Sequence, residues 1–311
     1  MDHLVKKVLI SALAADLLFL NPCVCLAETT FTDALGREVT VDEPERVAAL
    51  IGSFADVWYQ AGGTVCASAE DAWDDFEFTM PEDAINLGMT KEPSLEKLLE
   101  AQPDFIIASS KTRANMEMLD TLNATGIPTA YFEINVFDDY LDMLKLCTEI
   151  TGRDDLYEEN GLKVQEQIEA VLKKSEERVA EKGAPKVLVL VASASSIRAK
   201  NSETGVLGVM LSDLGCVNIA DSDTNLLENL NVEHILKEDP DYIFTVQSGG
   251  DTEGTEKALN ELFGENSAWS KLTAVKEDRV YHMDKRLYNI KPNARWGEAY
   301  ENLEEILSDE S

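Results

Sequence analysis

One long helix constrains this chain more than any other feature of its sequence. Apolar residues recur every three or four positions through 155–183, a spacing typical of one helix face: Leu162, Val164, Ile168, Val171, Leu172 and Val179. Asp155 and Glu158 predict a capping box at its start, and Gly183 predicts its end. Four basic residues crowd the last turns, where positive charge suits the helix dipole: Lys173, Lys174, Arg178 and Lys182. At about 1.5 Å per residue the helix is roughly 40 Å long, so we expect it to join two halves of the chain.

The segments on both sides of this helix predict an α/β protein. Short apolar runs, of which 47–51 and 186–191 are the first in each half, alternate with amphipathic helical stretches. Such alternation is typical of parallel sheets covered by helices. We therefore expect two Rossmann-like lobes, 28–151 and 184–311, bridged by the helical segment 152–183. An over-long surface helix within one domain is the alternative interpretation.

The two halves also repeat each other. Residues 94–107 and 231–244 share one pattern, in which a polar cap and an apolar residue precede a glutamate, a short helix, Pro-Asp and a buried strand. The glutamates, Glu96 and Glu233, occupy the same place in the two copies. Because the offset between the copies is constant, we interpret them as equivalent parts of the two lobes.

Residues 1–27 predict an export signal. Two lysines precede a short apolar run, and Ala27 puts a small residue where a signal peptidase cleaves. Glu28 then begins the mature chain, which we expect outside the cytoplasm, at the cell surface or in the periplasm. Lipid attachment at Cys23 or Cys25 is the alternative to free secretion.

Composition excludes several kinds of partner and chemistry. The chain carries 59 acidic and 27 basic residues, a net charge of −32, which argues against nucleic acid or an anionic membrane as a partner. Only three histidines are present, and we find no catalytic or nucleotide-binding motif and too few ligands for a histidine-rich metal site. We therefore predict a binding protein with no resident cofactor, and no enzyme. The widely spaced Cys66, Cys147 and Cys216 predict buried thiols.

The candidate ligand site follows from the rule that ligands lie beyond the carboxyl ends of parallel strands. In the first half that position gives Trp73 and Arg113, and in the second half Arg198, Gln247 and Tyr288. Arg113 and Arg198 are equivalent in the two lobes, so we expect them to hold an anionic ligand from opposite sides. Guanidinium groups match carboxylate, catecholate or hydroxamate oxygens, and the two aromatic rings add stacking area. Surface charge in loops is the alternative interpretation of both arginines.

The order of several segments resembles the substrate-binding proteins of ABC importers that handle ferric siderophores, haem and cobalamin. These segments are 30–41, the Arg46-Val47 pair leading into Gly52-Ser53, the two repeat copies, and 291–296. The resemblance implies two αβ lobes bridged by one long helix, with the ligand between them. It also implies that Glu96 and Glu233 dock onto a permease dimer that works with an ATPase.

The function that the resemblance implies is delivery of an iron chelate, a ferric siderophore, to an ABC importer by a monomeric receptor. Haem or a corrinoid is the alternative ligand class, and a free-standing ligand sensor is the alternative role.

Overall fold

A computed structural model of the chain describes residues 28–222, 225–264 and 267–309, so the predicted signal at 1–27 lies outside the described residues. The strands are β1 Thr29–Thr32, β2 Glu38–Val41, β3 Val47–Ala49, β4 Val65–Ser68, β5 Ile85–Asn86, β6 Phe105–Ser109, β7 Thr129–Phe132, β8 Lys186–Ser193, β9 Ser196–Lys200, β10 Val217–Asn218, β11 Tyr242–Gln247 and β12 Val280–Met283.

The α-helices are α1 Gly52–Gln60, α2 Asp71–Asp74, α3 Leu95–Glu100, α4 Arg113–Glu117, α5 Leu119–Thr125, α6 Phe137–Thr151, α7 Asp154–Tyr157, α8 Lys163–Lys182, α9 Val206–Asp213, α10 Asn225–Glu228, α11 Val232–Glu238, α12 Thr252–Phe263, α13 Thr273–Lys276, α14 Lys285–Tyr288 and α15 Trp296–Ser308. A π-helical turn, Glu158–Leu162, connects α7 to α8, and short 3₁₀ turns occur at Ile219–Asp221, Ala268–Lys271 and Asn293–Arg295.

The elements before α7 form the first lobe around a parallel sheet. Its strand order is β5-β4-β3-β6-β7, and every pairing in it is parallel. All five residues of β6 are buried, which suits an apolar strand covered on both faces by helices. The antiparallel hairpin of β1 and β2 precedes this sheet.

The elements between α8 and α15 form the second lobe. Its strands run in the order β10-β8-β11-β12 with parallel pairing, and β9 pairs antiparallel with β8. The small-residue stretch after β8 is therefore a tight hairpin, in which Arg198 lies opposite Val191 within a strand. Two αβ lobes with parallel sheets confirm the predicted fold class. The first sheet falls within 28–151 and the second within 184–311, and the domain boundaries themselves stay predictions.

The bridging helix runs without a break from Asp154 to Lys182, through α7, the π turn and α8. The predicted capping box is wrong, because the carboxylate of Asp155 accepts two bonds from the Arg153 guanidinium, at 2.8 and 2.7 Å. Within the π turn the carbonyl of Asn160 accepts a hydrogen bond from the Tyr140 hydroxyl at 2.8 Å. This bond ties the start of the bridging helix to α6 of the first lobe.

The buried face of α8 packs against α15. Val164, Ile168 and Val171 are buried, as the apolar spacing predicts. Arg178, one of the four basic residues near the helix end, is also buried on this face. Its guanidinium donates to the Glu304 carboxylate of α15 at 3.0 Å, with side chains only 6% and 8% exposed. An ion pair thus joins the bridging helix to the last helix inside the core.

The described residues contain no helix long and apolar enough to cross a membrane. Cys66, Cys147 and Cys216 are free within the same residues. Cys147 and Cys216 are buried as predicted, whereas Cys66 is only partly buried, so the prediction is wrong for that thiol. Burial raises the pKa of Cys147 and of Cys216 to about 12.

Candidate ligand-binding cleft

A cavity of about 530 Å³ lies between the two lobes. The first lobe lines it with four carboxylate side chains, those of Glu70, Asp71, Asp74 and Asp75, and with segment 89–91. The second lobe contributes Gly249, Gly250 and Lys285. This volume falls within the range of about 300–1,000 Å³ that is common for small-molecule sites. The lining places the cavity beyond the carboxyl ends of β4 and β12, where open α/β sheets bind ligands.

The acidic wall of the cavity is fixed by the packing of α2 on the start of α1. The Asp71 carboxylate accepts the backbone N–H of Gly52 at 2.9 Å. A Cβ atom at Gly52 would lie 2.7 Å from the backbone nitrogen of Ala72, so α2 approaches this glycine too closely for any side chain. Burial raises the pKa of Asp71, and the nearby Asp75 charge adds to the rise.

Ion pairs cross the cleft between the lobes. The Lys285 ammonium lies 2.8 Å from the Asp75 carboxylate, and both residues line the cavity. The Arg295 guanidinium lies 3.4 Å from Glu77 and 2.7 Å from Glu298. Basic side chains of 285–295 therefore reach carboxylates of the first lobe.

A buried polar cluster holds the lobes together beneath the cavity. The Arg286 guanidinium donates to Asp56 at 2.7 Å and lies 4.3 Å from the centroid of the Phe76 ring. The fully buried Asn293 amide donates to the Ser53 carbonyl at 2.9 Å and to Asp56 at 2.8 Å. Burial raises the pKa of Asp56, and the positive charge of Arg286 opposes that rise. This cluster is a structural contact between lobes, since its charged groups satisfy one another.

The predicted aromatic and amide ligands lie in different places. Trp73 is on α2, beside the acidic wall, and is 37% exposed. Gln247 ends β11 and lines a separate cavity of about 310 Å³ with Thr245 and His282. Tyr288 is 3% exposed and donates its hydroxyl hydrogen to the Ala299 carbonyl at 3.0 Å, so its ring packs in the core.

The two predicted clamp arginines are both exposed. Arg113 begins α4, and its guanidinium donates to Glu117 at 2.7 Å. Arg198 lies in β9. Neither belongs to the lining of the interlobe cavity in the described part of the chain. The clamp stays a prediction.

Sequence reasoning did not select the carboxylates that line this cleft as site residues. Glu70 and Asp74 belong to 69–81, a segment rich in acidic and aromatic residues. Its high density of carboxylates is the sequence feature that could have identified them. Asn293 belongs to the closing segment 291–296, but its contact with Ser53 depends on tertiary placement.

The repeated segments form equivalent short helices, α3 in the first lobe and α11 in the second. Ser94 caps α3 by accepting the N–H of its third residue at 3.3 Å, and Asn231 caps α11 in the same way at 3.2 Å. Glu96 and Glu233 lie exposed in the first turn of these helices. Each lobe therefore presents one carboxylate at the same position of the same capped helix.

The segment that follows each helix is also anchored in the same way. The Asp104 carboxylate accepts the backbone N–H of Arg46 at 2.9 Å, and the Asp241 carboxylate accepts that of Lys186 at 2.7 Å. Asp104 and Asp241 directly precede β6 and β11. Their partners lie directly before β3 in the first lobe and at the first residue of β8 in the second. The repeat that is present in the sequence is therefore also present in the structure.

Two parallel-sheet lobes, one continuous bridging helix and a cavity between the lobes define a two-lobed solute-binding protein. The chain belongs to the periplasmic binding protein family, whose model matches residues 47–287. It is 28% identical over 262 residues to the Fe(3+)-citrate-binding protein YfmC of Bacillus subtilis, a match that covers 81% of this chain and 77% of that protein.

Solved structures show the same fold. Staphylococcus aureus SirA complexed with staphyloferrin B matches with a TM-score of 0.69 at 23% identity, covering 91% of this chain and 99% of that chain. Staphylococcus aureus IsdE complexed with heme matches with a TM-score of 0.67 at 18% identity, covering 85% of this chain and 99% of that chain.

Proposed function

We propose that this protein is an extracytoplasmic receptor that binds an iron chelate, a ferric siderophore, and delivers it to an ABC importer. The observation that carries the proposal is the 530 Å³ cavity between the lobes of a periplasmic binding protein. Similar proteins are named for Fe(3+)-citrate and were solved with staphyloferrin B and with heme. Heme is the second candidate ligand because one of these structures contains it. The receptor acts as a monomer, exported either free or with a lipid anchor.

The ligand is tested by titrating the protein with ferric siderophores, haem and cobalamin side by side, following tryptophan fluorescence. Trp73 is the reporter, because it is 37% exposed on α2, whereas Trp58, Trp269 and Trp296 are buried. We expect saturable quenching by a ferric chelate, and a Trp73→Phe variant that loses most of the fluorescence signal while it keeps an aromatic ring at this position. If nothing quenches and mass spectrometry finds no co-purified ligand, the iron-chelate proposal is rejected.

The docking surface follows from the paired helices α3 and α11. We propose that Glu96 and Glu233 contact basic residues of a permease dimer, one carboxylate per subunit. A first-turn glutamate also favours the helix dipole, by about 0.3–1 kcal/mol, and that effect alone explains each residue singly. Docking is favoured because Glu96 and Glu233 are both exposed and occupy equivalent positions in the two lobes. Truncating one partner of a desolvated charge pair at an interface typically weakens binding by about 2–5 kcal/mol.

Docking is tested with the Glu96→Ala/Glu233→Ala double variant in a transport assay with the cognate importer. We expect uptake to be abolished while ligand affinity and the melting temperature stay close to those of the wild type. Glu100→Ala/Glu253→Ala is the matched control, because it removes one exposed helical glutamate from each lobe. Normal uptake in the Glu96→Ala/Glu233→Ala variant, or loss of ligand binding, would contradict the docking role. Both glutamates would then only stabilise the first turns of their helices.

The predicted clamp is tested separately, with an anionic probe. If Arg113 and Arg198 hold ligand charge from opposite lobes, replacing either by alanine weakens ferric citrate binding about ten-fold or more. Lysine restores binding incompletely, because it lacks the planar fork of a guanidinium group. Unchanged affinity in the double alanine variant would remove both residues from the site.

A further inference from the structure

We propose that the interlobe cavity selects ferric chelates that carry a positive charge, such as hydroxamate complexes with a free ammonium group, over anionic carboxylate or catecholate complexes. The inference rests on the proposed function and names the chemical class of its ligand. It differs from the sequence-based prediction that Arg113 and Arg198 hold an anionic ligand.

The first part of the argument is that two basic groups of the second lobe at the cleft, Lys285 and Arg286, already have carboxylate partners from the first lobe. Lys285, which lines the cavity, lies 2.8 Å from Asp75. Arg286 lies 2.7 Å from the buried Asp56, which also accepts from Asn293. An anionic chelate that approached these cations would have to displace carboxylates that belong to the protein. Displacement would leave those carboxylates close to the ligand's own negative charge.

The second part is the charge that remains on the cavity wall. Glu70, Asp71 and Asp74 line it in addition to the paired Asp75, and Lys91 is the cation that accompanies them on the same lobe. Removing the Asp75–Lys285 pair from the count leaves three carboxylates against one ammonium group. A cavity with this lining attracts cations and repels anions.

The strength of the attraction between a ligand ammonium and the cavity wall depends on the local dielectric constant and on the salt concentration. Near a protein surface the effective dielectric constant is about 20 rather than 80, so a ligand ammonium within the cavity interacts with these carboxylates several-fold more strongly than in water. The wall is partly open, so salt screens the interaction, and the Debye length at 0.1 M salt is about 10 Å. We expect a charge preference of about ten-fold at low ionic strength that decreases as salt is added.

The test compares ferric chelates that differ only in charge. Ferrioxamine B binds iron through three hydroxamates and has a pendant ammonium group, and its N-acetyl derivative keeps the iron centre without that charge. Calorimetric titration of the wild-type protein is expected to show about ten-fold tighter binding of ferrioxamine B than of the acetylated complex. Ferric citrate and ferric enterobactin, as anionic probes, are expected to bind more weakly than either.

The variant that tests the mechanism is Glu70→Gln/Asp74→Asn. These side chains line the cavity, and neither is part of the Asp56 cluster or of the Asp75–Lys285 pair. We expect it to lose most of the preference for ferrioxamine B while its melting temperature is unchanged. Glu82→Gln/Asp83→Asn is the control, because it removes two exposed carboxylates from the same lobe outside the cavity lining.

The outcomes separate this inference from the proposed function. Tighter binding of ferric citrate or ferric enterobactin than of ferrioxamine B overturns the charge preference and leaves the iron-chelate receptor standing. The preference for ferrioxamine B could persist in Glu70→Gln/Asp74→Asn, or it could disappear equally in the control variant. Either result assigns the preference to the overall charge of the protein and overturns the role of the cavity wall. Failure of every ferric chelate to bind rejects the proposed function itself.

Discussion

Breaking the buried ion pair between Arg178 and Glu304 should destabilise the whole molecule, because that pair joins the bridging helix to α15. Glu304→Ala leaves a guanidinium that is 6% exposed with the Leu214 carbonyl as its other acceptor, at 2.8 Å. Removing one partner of a buried pair typically costs about 3–5 kcal/mol, because the other charge stays buried without compensation. At about 2–3 °C per kcal/mol for a chain of this size, the melting temperature should fall by roughly 6–15 °C.

The matched control is Glu305→Ala, which removes an exposed carboxylate from the next position of the same helix. It should change the free energy of unfolding by less than about 0.5 kcal/mol. The double variant Arg178→Met/Glu304→Leu replaces the pair by apolar side chains and should recover most of the loss, because no unpaired charge remains. Urea and thermal unfolding measure all four proteins. A Glu304→Ala loss below about 1 kcal/mol, or a double variant at least as unstable as Glu304→Ala, would refute this reasoning.

Three further predictions concern the cleft and the thiols. Asn293→Ala should cost about 2–4 kcal/mol in urea unfolding, because it removes the buried donor to the Ser53 carbonyl and to Asp56 and places alanine at φ 56°; a loss below about 1 kcal/mol would contradict the role of the cluster. Ligand should change the radius of gyration in small-angle scattering only slightly, since the same cluster ties the lobes, and a large compaction would count against it. At pH 8 a thiol with a pKa of about 12 is thiolate in about one molecule in 10⁴, so native Cys147 and Cys216 should resist iodoacetamide until the protein unfolds, and rapid labelling would contradict their burial.

The fold could be predicted because its signals are local. The apolar period over 155–183 specifies a helix whatever surrounds it, and buried strands alternating with helices specify parallel sheets. Arg178 shows where local interpretation was incomplete. It follows Val171 by seven residues and therefore lies on the buried stripe, whereas its charge was related only to the helix dipole. Its partner, Glu304, is 126 residues away, and no local pattern connects the two.

The candidate site could be predicted only in part, because a cleft is built from segments that are distant in sequence. The rule about strand ends points to the region after β4, where Trp73 and the acidic wall lie, and the role of Trp73 stays a prediction. It failed to show that Tyr288 turns into the core, because a short helix, α14, follows β12 and buries its last residue. The rule also treats every basic residue near a strand end as available. The pairing of Lys285 with Asp75, 210 residues away, appears only in three dimensions.

Blocking the interlobe cavity tests most directly whether ligand binds there. Gly250 lines the cavity, and a Cβ atom at this position would meet no atom within 4 Å, so a side chain can begin here without a backbone clash, and Gly250→Trp adds a large ring at the cavity wall. We predict that this variant keeps the wild-type melting temperature and binds ferrioxamine B at least about ten-fold more weakly in calorimetric titration. Wild-type affinity in a folded Gly250→Trp protein would show that the ligand binds elsewhere, and would contradict the assignment of the cleft.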